Sequence, residues 1–208
     1  MIALDRRGNG TEALWTLTID RTDKANALRR DMLQEILTIF EAAAAEQIGG
    51  LILTGAGTVF SAGADLDQAK VGLATDQIWE RVSARLASLD CMTIAALNGT
   101  LAGGAFGMAL ACDLRISVPS AKFFYPVMQL GFAPQPSDPQ RMTALIGPSK
   151  TRLILMASER IDAATALDWG LIDRITEPDS LLPTAHAWIE PTLAAPLEIR
   201  RKIKRMCP

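Results

Sequence analysis

The chain has 208 residues, 49% of them hydrophobic and 21% charged, with 21 lysines and arginines against 23 acids for a net charge of −2. This composition excludes a disordered or collagen-like chain, and the length suits one large core or one domain with an appendage. The near-neutral balance leaves no electrostatic footprint for nucleic acid, so the basic run Arg200, Arg201, Lys202, Lys204 and Arg205 reads as a solvated helix face.

The first ten residues carry Asp5, Arg6 and Arg7 without an apolar leader core, and no apolar stretch approaches the roughly 20 residues a bilayer needs. The alternation of Ala13, Trp15, Leu17 and Ile19 predicts a strand ending in the turn Asp20-Arg21-Thr22-Asp23. From Asn26, read as a helix N-cap, Leu28, Met32, Leu33, Ile36, Leu37, Phe40 and Ala43 recur at three and four residues. They predict a helix stopped by Gly49-Gly50. The apolar run 51–54 lies between glycines and predicts a strand buried on both faces, so strand, helix and strand form a parallel βαβ unit.

The pattern recurs. Ile78, Val82, Leu86 and Leu89 predict a helix, 93–97 a buried strand, 103–111 a small-residue helix and 114–117 another strand. After a short strand at 122–124, Pro126, Pro134, Pro136 and Pro139 keep the chain irregular to about Gln140, and such segments commonly carry function. Ser137-Asp138-Pro139-Gln140 has capping-box spacing and predicts a helix through Met142 and Ile146, with Asp138 as a further helix-capping candidate. A helix over 163–169 ends at Gly170, and the tail 181–208 is broken by Pro183, Pro191 and Pro196. No internal sequence repeat is visible, and the order of elements predicts an α/β layered domain.

Cys91, Cys112 and Cys207 are odd in number and far apart, which suits neither a disulfide framework nor a CxxC metal site. A reducing compartment and a cytoplasmic location follow as expectations, with no metal and no membrane partner.

Two segments place glycine among small residues where a strand gives way to a helix: 60–66, Phe-Ser-Ala-Gly-Ala-Asp-Leu, and 98–105, Asn-Gly-Thr-Leu-Ala-Gly-Gly-Ala. There the first amides of a helix have no internal partner and point outward with the positive end of the dipole. Taken singly, each segment also reads as a tight turn. Taken together and in order, they resemble the crotonase family of enoyl-CoA hydratases and isomerases. Lys24-Ala25-Asn26-Ala27-Leu28, Leu53-Thr54-Gly55-Ala56-Gly57, Gly103-Gly104 and Ala111-Cys112-Asp113-Leu114-Arg115-Ile116 add to the resemblance, as do Leu130-Gly131, Gln140-Arg141 and Gly170-Leu171-Ile172-Asp173.

The resemblance implies a crotonase-like fold of repeated ββα units, the ClpP/crotonase fold, with an acyl-CoA-binding core over 1–180 and a shortened C-terminal helical tail over 181–208. It implies an oxyanion hole made by the backbone amides of Ala64 and Gly104. It assigns coenzyme A binding to the segments holding Lys24, Ala25 and Ala27 and Ala62, Ala64, Asp65 and Leu66. Coenzyme A would be part of the substrate, with no prosthetic group, and the acyl carrier is either CoA or an acyl-carrier protein. A homotrimer or a dimer of trimers is implied as well.

Two positions break the pattern. Where hydratases of the family carry the glutamates that share a water, this chain has Gly107 and Val127, and an aspartate position used by some members falls on Gln135. Neither Gly107 nor Val127 has a titratable proton, so hydration by that carboxylate pair cannot run from these positions. The remaining polar candidates are Asp65, Asp67, Gln129, Ser137, Asp138 and Tyr125; Asp138 and Tyr125 are the catalytic candidates, although Asp138 also reads as a helix cap and Tyr125 as a half-buried tyrosine at a strand end. His186 reads as a surface or packing residue. Two classes stay open: an enzyme using enolate stabilisation, such as a decarboxylase or another lyase, and a non-catalytic acyl-CoA-binding or interaction subunit.

Overall fold

The computed structural model describes residues 1–207. In chain order the elements are β1 (Ile2–Arg7), β2 (Leu14–Ile19), α1 (Arg30–Ala45), β3 (Gly50–Gly55), β4 (Val59–Ser61), α2 (Leu66–Lys70), α3 (Ile78–Ala87), β5 (Met92–Leu97), β6 (Thr100–Ala102) and α4 (Phe106–Ala111). There follow β7 (Leu114–Ser117), β8 (Lys122–Phe124), α5 (Val127–Leu130), α6 (Asp138–Leu155), β9 (Ile161–Asp162), α7 (Ala163–Trp169), β10 (Arg174–Ile175), α8 (Leu181–Ala194) and α9 (Leu197–Met206).

The strands form a six-stranded sheet of order β1-β2-β3-β5-β7-β10 and a four-stranded sheet of order β4-β6-β8-β9. Only β1 and β9 run antiparallel to their neighbours. Each successive pair, β3 with β4, β5 with β6 and β7 with β8, places its first strand in the large sheet and its second in the small one before a helix follows. That is the repeated ββα unit of the crotonase fold. The central strands are buried on both faces, with Ile52 and Ile94 fully covered, which explains why they read as continuous apolar runs. The predicted stripe of α1 is confirmed: Met32, Leu33, Ile36, Leu37, Phe40 and Ala43 are buried. Truncating Phe40 to alanine there would cost about 3–5 kcal/mol.

One strand is added to the predicted set, and three readings are corrected. Residues 2–7 form an edge strand: Ile2 is buried, and the Arg6 guanidinium lies 4.0 Å from the centre of the Trp15 ring. Asn26 is no N-cap, because α1 starts only at Arg30 and Asn26 sits fully buried at φ 55° as a loop pin. A short helix, α5, occupies part of the proline-rich segment expected to be irregular, whereas α2 follows the 60–66 loop as expected. The basic run is not simply a solvated face either. Arg200 is buried with Nη1 donating to Thr11 O at 2.8 Å, and Lys204 pairs with Asp113 at 2.8 Å. The tail packs onto the large sheet through Leu181, Ala185 and Ile189 of α8, and a Cβ on Gly50 would stand 3.0 Å from Ile189 Cδ1.

Buried Arg115 and half-exposed Asp113 hold the ends of these strands. The Arg115 guanidinium donates to Leu171 O at 3.0 Å and Cys112 O at 2.6 Å, while Asp113 accepts from Thr93 N–H at 2.7 Å. Among the described residues, no helix is long and apolar enough to cross a membrane.

Candidate active site

Two loops meet where the sequence concentrates its glycines. The first, between β4 and α2, is pinned by side chains from elsewhere. Asn26 Nδ2 donates to Ala56 O at 2.9 Å and Val59 O at 2.7 Å, and Asn26 Oδ1 accepts from Arg21 N–H at 2.8 Å. Ser61 Oγ donates to Asn26 O at 2.8 Å and accepts from Gly63 N–H at 3.1 Å. Leu28 N–H donates to Gly63 O and Leu28 O accepts from Asp65 N–H, a bridge that skips the amide of Ala64. The Ala64 N–H is left without an internal acceptor.

The second loop carries Gly104 in the one-turn 3₁₀ helix Gly103–Ala105 ahead of α4, so its N–H is one of the unpaired amides of a helix start. The loops touch at Gly63, whose φ is +88°. A Cβ there would lie 2.8 Å from Ala102 O and 3.3 Å from Gly104 N, so glycine is required both for the backbone turn and for the approach.

The predicted CoA-binding residues divide. Lys24 and Ala25 are exposed on the turn beside this loop, Ala62 and Leu66 are exposed on the loop itself, and Ala27 is buried with its carbonyl accepting from Arg21 at 3.0 Å. Asp65 caps α2 by accepting from the amides of Asp67 and Gln68 at 3.2 Å each. Arg21 pairs with its carboxylate at 2.7 Å and, as the largest influence, holds it below the usual aspartate range.

Around Gly107 the structure builds a polar cluster. A Cβ on Gly107 would stand 2.6 Å from Gln135 Oε1 and 3.1 Å from Asp138 Oδ1. Asp138 is completely buried and its Oδ2 accepts from the Tyr125 hydroxyl at 3.0 Å. Phe106 stacks on Tyr125 with ring centroids 5.3 Å apart. Gln135 Nε2 donates to Gly104 O at 2.9 Å, tying the cluster to the second loop. Burial pushes Asp138 up to about 7, against the pull of Tyr125 and Arg141, with Glu80 adding to the rise. Burial, and then the nearby Asp138, push the Tyr125 hydroxyl well above its ordinary value.

Asp138 is therefore not the helix cap its sequence position suggests. Ser137 does not cap either, since its N–H and hydroxyl both bond the Glu80 carboxylate on α3. Val127 is buried at the start of α5 and offers only hydrocarbon. A cavity of about 440 Å³ lies next to this cluster, with Ala74, Glu80, Arg81, Pro134, Gln135 and Pro136 among its walls.

The sequence model described as Enoyl-CoA hydratase/isomerase matches residues 9–207. The chain belongs to the enoyl-CoA hydratase/isomerase family. Its relatives include YngF of Bacillus subtilis, 37% identical over 183 residues that cover 84% of this chain and 70% of that protein. A second is 4-chlorobenzoyl coenzyme A dehalogenase-2 of an Arthrobacter species, 28% identical across 93% of this chain and 74% of the relative. The crystal structure of an enoyl-CoA hydratase from Bacillus anthracis superposes with a TM-score of 0.89 at 27% identity, covering 98% of this chain and 81% of that one.

For a member of the enoyl-CoA hydratase/isomerase family, the polar groups near Gly107 come from unexpected places. Gln135 reaches the position from the loop before α6 and Asp138 from the first residue of α6, where a glutamate on α4 would have reached it from that helix itself. Sequence reasoning missed Arg21, Ser61 and Glu80, whose partners lie 44, 35 and 57 residues away and leave no local spacing signal. Among the described residues, no cluster of three or more His, Cys, Asp or Glu side chains could hold a metal ion.

Proposed function

We propose that the chain acts on acyl-CoA thioesters, holding the thioester oxygen as an enolate between the amides of Ala64 and Gly104, with Asp138 as the acid that protonates the α carbon. The observation that carries this reading is the buried Asp138 carboxyl beside Gly107, with a pKa of about 7. An acid whose pKa lies near the working pH both delivers and recovers a proton efficiently. Two preorganised amides aimed at a developing oxyanion supply about 3–4 kcal/mol each.

Loss of CO₂ from a β-carboxyacyl thioester suits this set of groups. The bond between the α carbon and the carboxylate breaks and its electron pair becomes the enolate. The enolate pair then forms a C–H bond as the Asp138 O–H bond breaks, and the carboxylate regains a proton from solvent. No base has to remove a carbon-bound proton, which fits the absence of titratable groups at Gly107 and Val127. Tyr125 holds Oδ2 of Asp138 and so aims Oδ1.

Lys24, exposed and without an ion pair, is available to a CoA phosphate, while Ala25, Ala27, Ala62, Ala64, Asp65 and Leu66 line the path of the carrier arm mainly through backbone. Coenzyme A enters as part of the substrate. The cavity beside Gln135 gives the acyl group room. The proposal extends to a cytoplasmic homotrimer or pair of trimers, which sedimentation would test.

The deciding experiment incubates the protein with malonyl-, methylmalonyl-, crotonyl- and β,γ-enoyl-CoA. The reading predicts decarboxylation of a β-carboxyacyl thioester, lost in Asp138→Asn while CoA binding is kept. Binding without turnover of any of the four would favour the second reading, a non-catalytic acyl-CoA-binding subunit, for which the titratable-group gap at Gly107 and Val127 speaks equally.

A further inference from the structure

Two buried acceptors crowd one point without a donor. Asp138 Oδ1 and Gln135 Oε1 both lie within 3.1 Å of the point where a Cβ on Gly107 would stand, and neither has a hydrogen-bond partner. The other half of each group is occupied. Tyr125 donates to Asp138 Oδ2, and Gln135 Nε2 donates to Gly104 O, which fixes the oxygen end of the amide toward Asp138. Proteins leave few buried polar atoms unpaired, and a single proton on Asp138 Oδ1 would satisfy both of these.

We propose that Gln135 is the positioning residue of this site: its Oε1 accepts the proton of a neutral Asp138, so that acid and amide share one proton over Gly107. The inference rests on Asp138 being the proton carrier and on no particular acyl group. Tyr125 faces Asp138 from the end of β8 and favours the carboxylate; Arg141, further along α6, acts in the same direction; Glu80 on α3, bonded to Ser137, opposes them. Gln135 is the neighbour whose oxygen favours the neutral acid.

The geometry has a consequence for turnover. When Asp138 gives up its proton, Oδ1 and Oε1 become two lone-pair oxygens and repel. The Gln135 amide then gains by turning Nε2 toward Oδ1, which releases the carbonyl of Gly104. Proton delivery is thereby coupled to the backbone of the second loop.

Tyr125 is the only tyrosine in the chain, so ¹³C labelling at tyrosine Cζ gives a single resonance that reports ionisation of Asp138 through their shared hydrogen bond. The wild type is expected to titrate with a midpoint near 7, and Asp138→Asn to abolish that titration. Gln135→Met removes the acceptor for the acid and should lower the midpoint by about one unit, a tenfold change in the acid constant. Gln135→Glu places a second carboxyl beside the first and should raise it. In the wild type itself, the Gln135 side-chain amide resonances should shift with the same midpoint as Tyr125. Equal midpoints in all Gln135 variants, shifts of the same sign in both, or a Gln135 amide indifferent to pH would overturn the proposal. A correct titration pattern in a protein that turns over no thioester leaves the shared proton standing and removes the proposed reaction. Turnover with unmoved midpoints does the reverse.

Discussion

Tyr125 and Asp138, thirteen residues apart in sequence, form a 3.0 Å hydrogen bond in which the phenol donates to Oδ2 and both side chains are almost wholly buried. The bond stabilises the charged form of a carboxyl that burial otherwise keeps neutral. Tyr125→Phe should therefore raise the Asp138 pKa further, by about one unit, since hydrogen bonds to charged groups contribute about 1.5–3 kcal/mol. Titration of ¹³Cγ-labelled aspartate in the variant checks this, and an unmoved or lowered midpoint contradicts it.

The raised Asp138 pKa also makes stability depend on pH. The folded state binds the proton more tightly than the unfolded chain, whose aspartate sits near 3.8. The stabilisation is fully present below that value and is lost as pH rises toward 7, amounting to about 4 kcal/mol over the window. Asp65, held down by Arg21, works in the opposite sense and loses its contribution as pH falls. Urea midpoints of wild type and Asp138→Asn at about pH 5 and pH 8 isolate the effect. The wild type should weaken at the higher pH by about 2–3 kcal/mol more than the variant, and parallel behaviour would refute the assignment.

Gly63 carries the contact between the two loops. Gly63→Ala forces a side chain onto a backbone at φ +88° and puts its Cβ 2.8 Å from Ala102 O, which is main chain and cannot step aside. The expected cost is about 2–4 kcal/mol of stability together with at least a tenfold loss of acyl-CoA affinity. Thermal unfolding and calorimetric titration with acetyl-CoA would show both losses; a variant of wild-type affinity would mean the loops do not form the binding feature.

Arg21 braces the first loop through Asp65 and the carbonyl of Ala27, at 2.7 and 3.0 Å. Arg21→Ala should release α2 and the exposed turn that we assign to CoA, weakening CoA binding several-fold while leaving the Asp138 titration unchanged. Paired measurement of dissociation constant and Asp138 midpoint tests the separation. Asn26→Ala, which removes the donor to Ala56 O, leaves Val59 O only the longer bond from Asn98 Nδ2 at 3.2 Å and takes the acceptor from Arg21 N–H, should be the more damaging of the two, at about 2–3 kcal/mol.

The parallel core was legible because its signals are local. The runs that became β3 and β5 are largely apolar on both faces, α1 and α3 show helical spacing, and Gly170 ends α7 in the left-handed conformation that glycine favours. The edge strand was hidden because Asp5 and Arg7 occupy one face and Arg6 ends the other, so only Ile2 and Leu4 announce it. Asn26 and Asp138 show the limit more sharply. Both residue types favour helix starts, and both stand where such a start is plausible, yet tertiary partners claim their side chains: Ala56 and Val59 for one, Tyr125 for the other. Glycine placement marked the two strand-to-helix turns of the candidate site, and the family resemblance named the amides of Ala64 and Gly104 within them. The groups gathered over Gly107 were not legible, because their meeting depends on where a proline-rich loop crosses α4.

The account rests on two main-chain donors serving one carbonyl, and a crystal structure of the protein with a non-hydrolysable acyl-CoA analogue measures that directly. The predicted result is a thioester-equivalent oxygen within hydrogen-bond distance of both Ala64 N and Gly104 N, with the α carbon facing Asp138 Oδ1. An analogue bound with its carbonyl away from either amide, or seated outside the space between the two loops, would contradict the account.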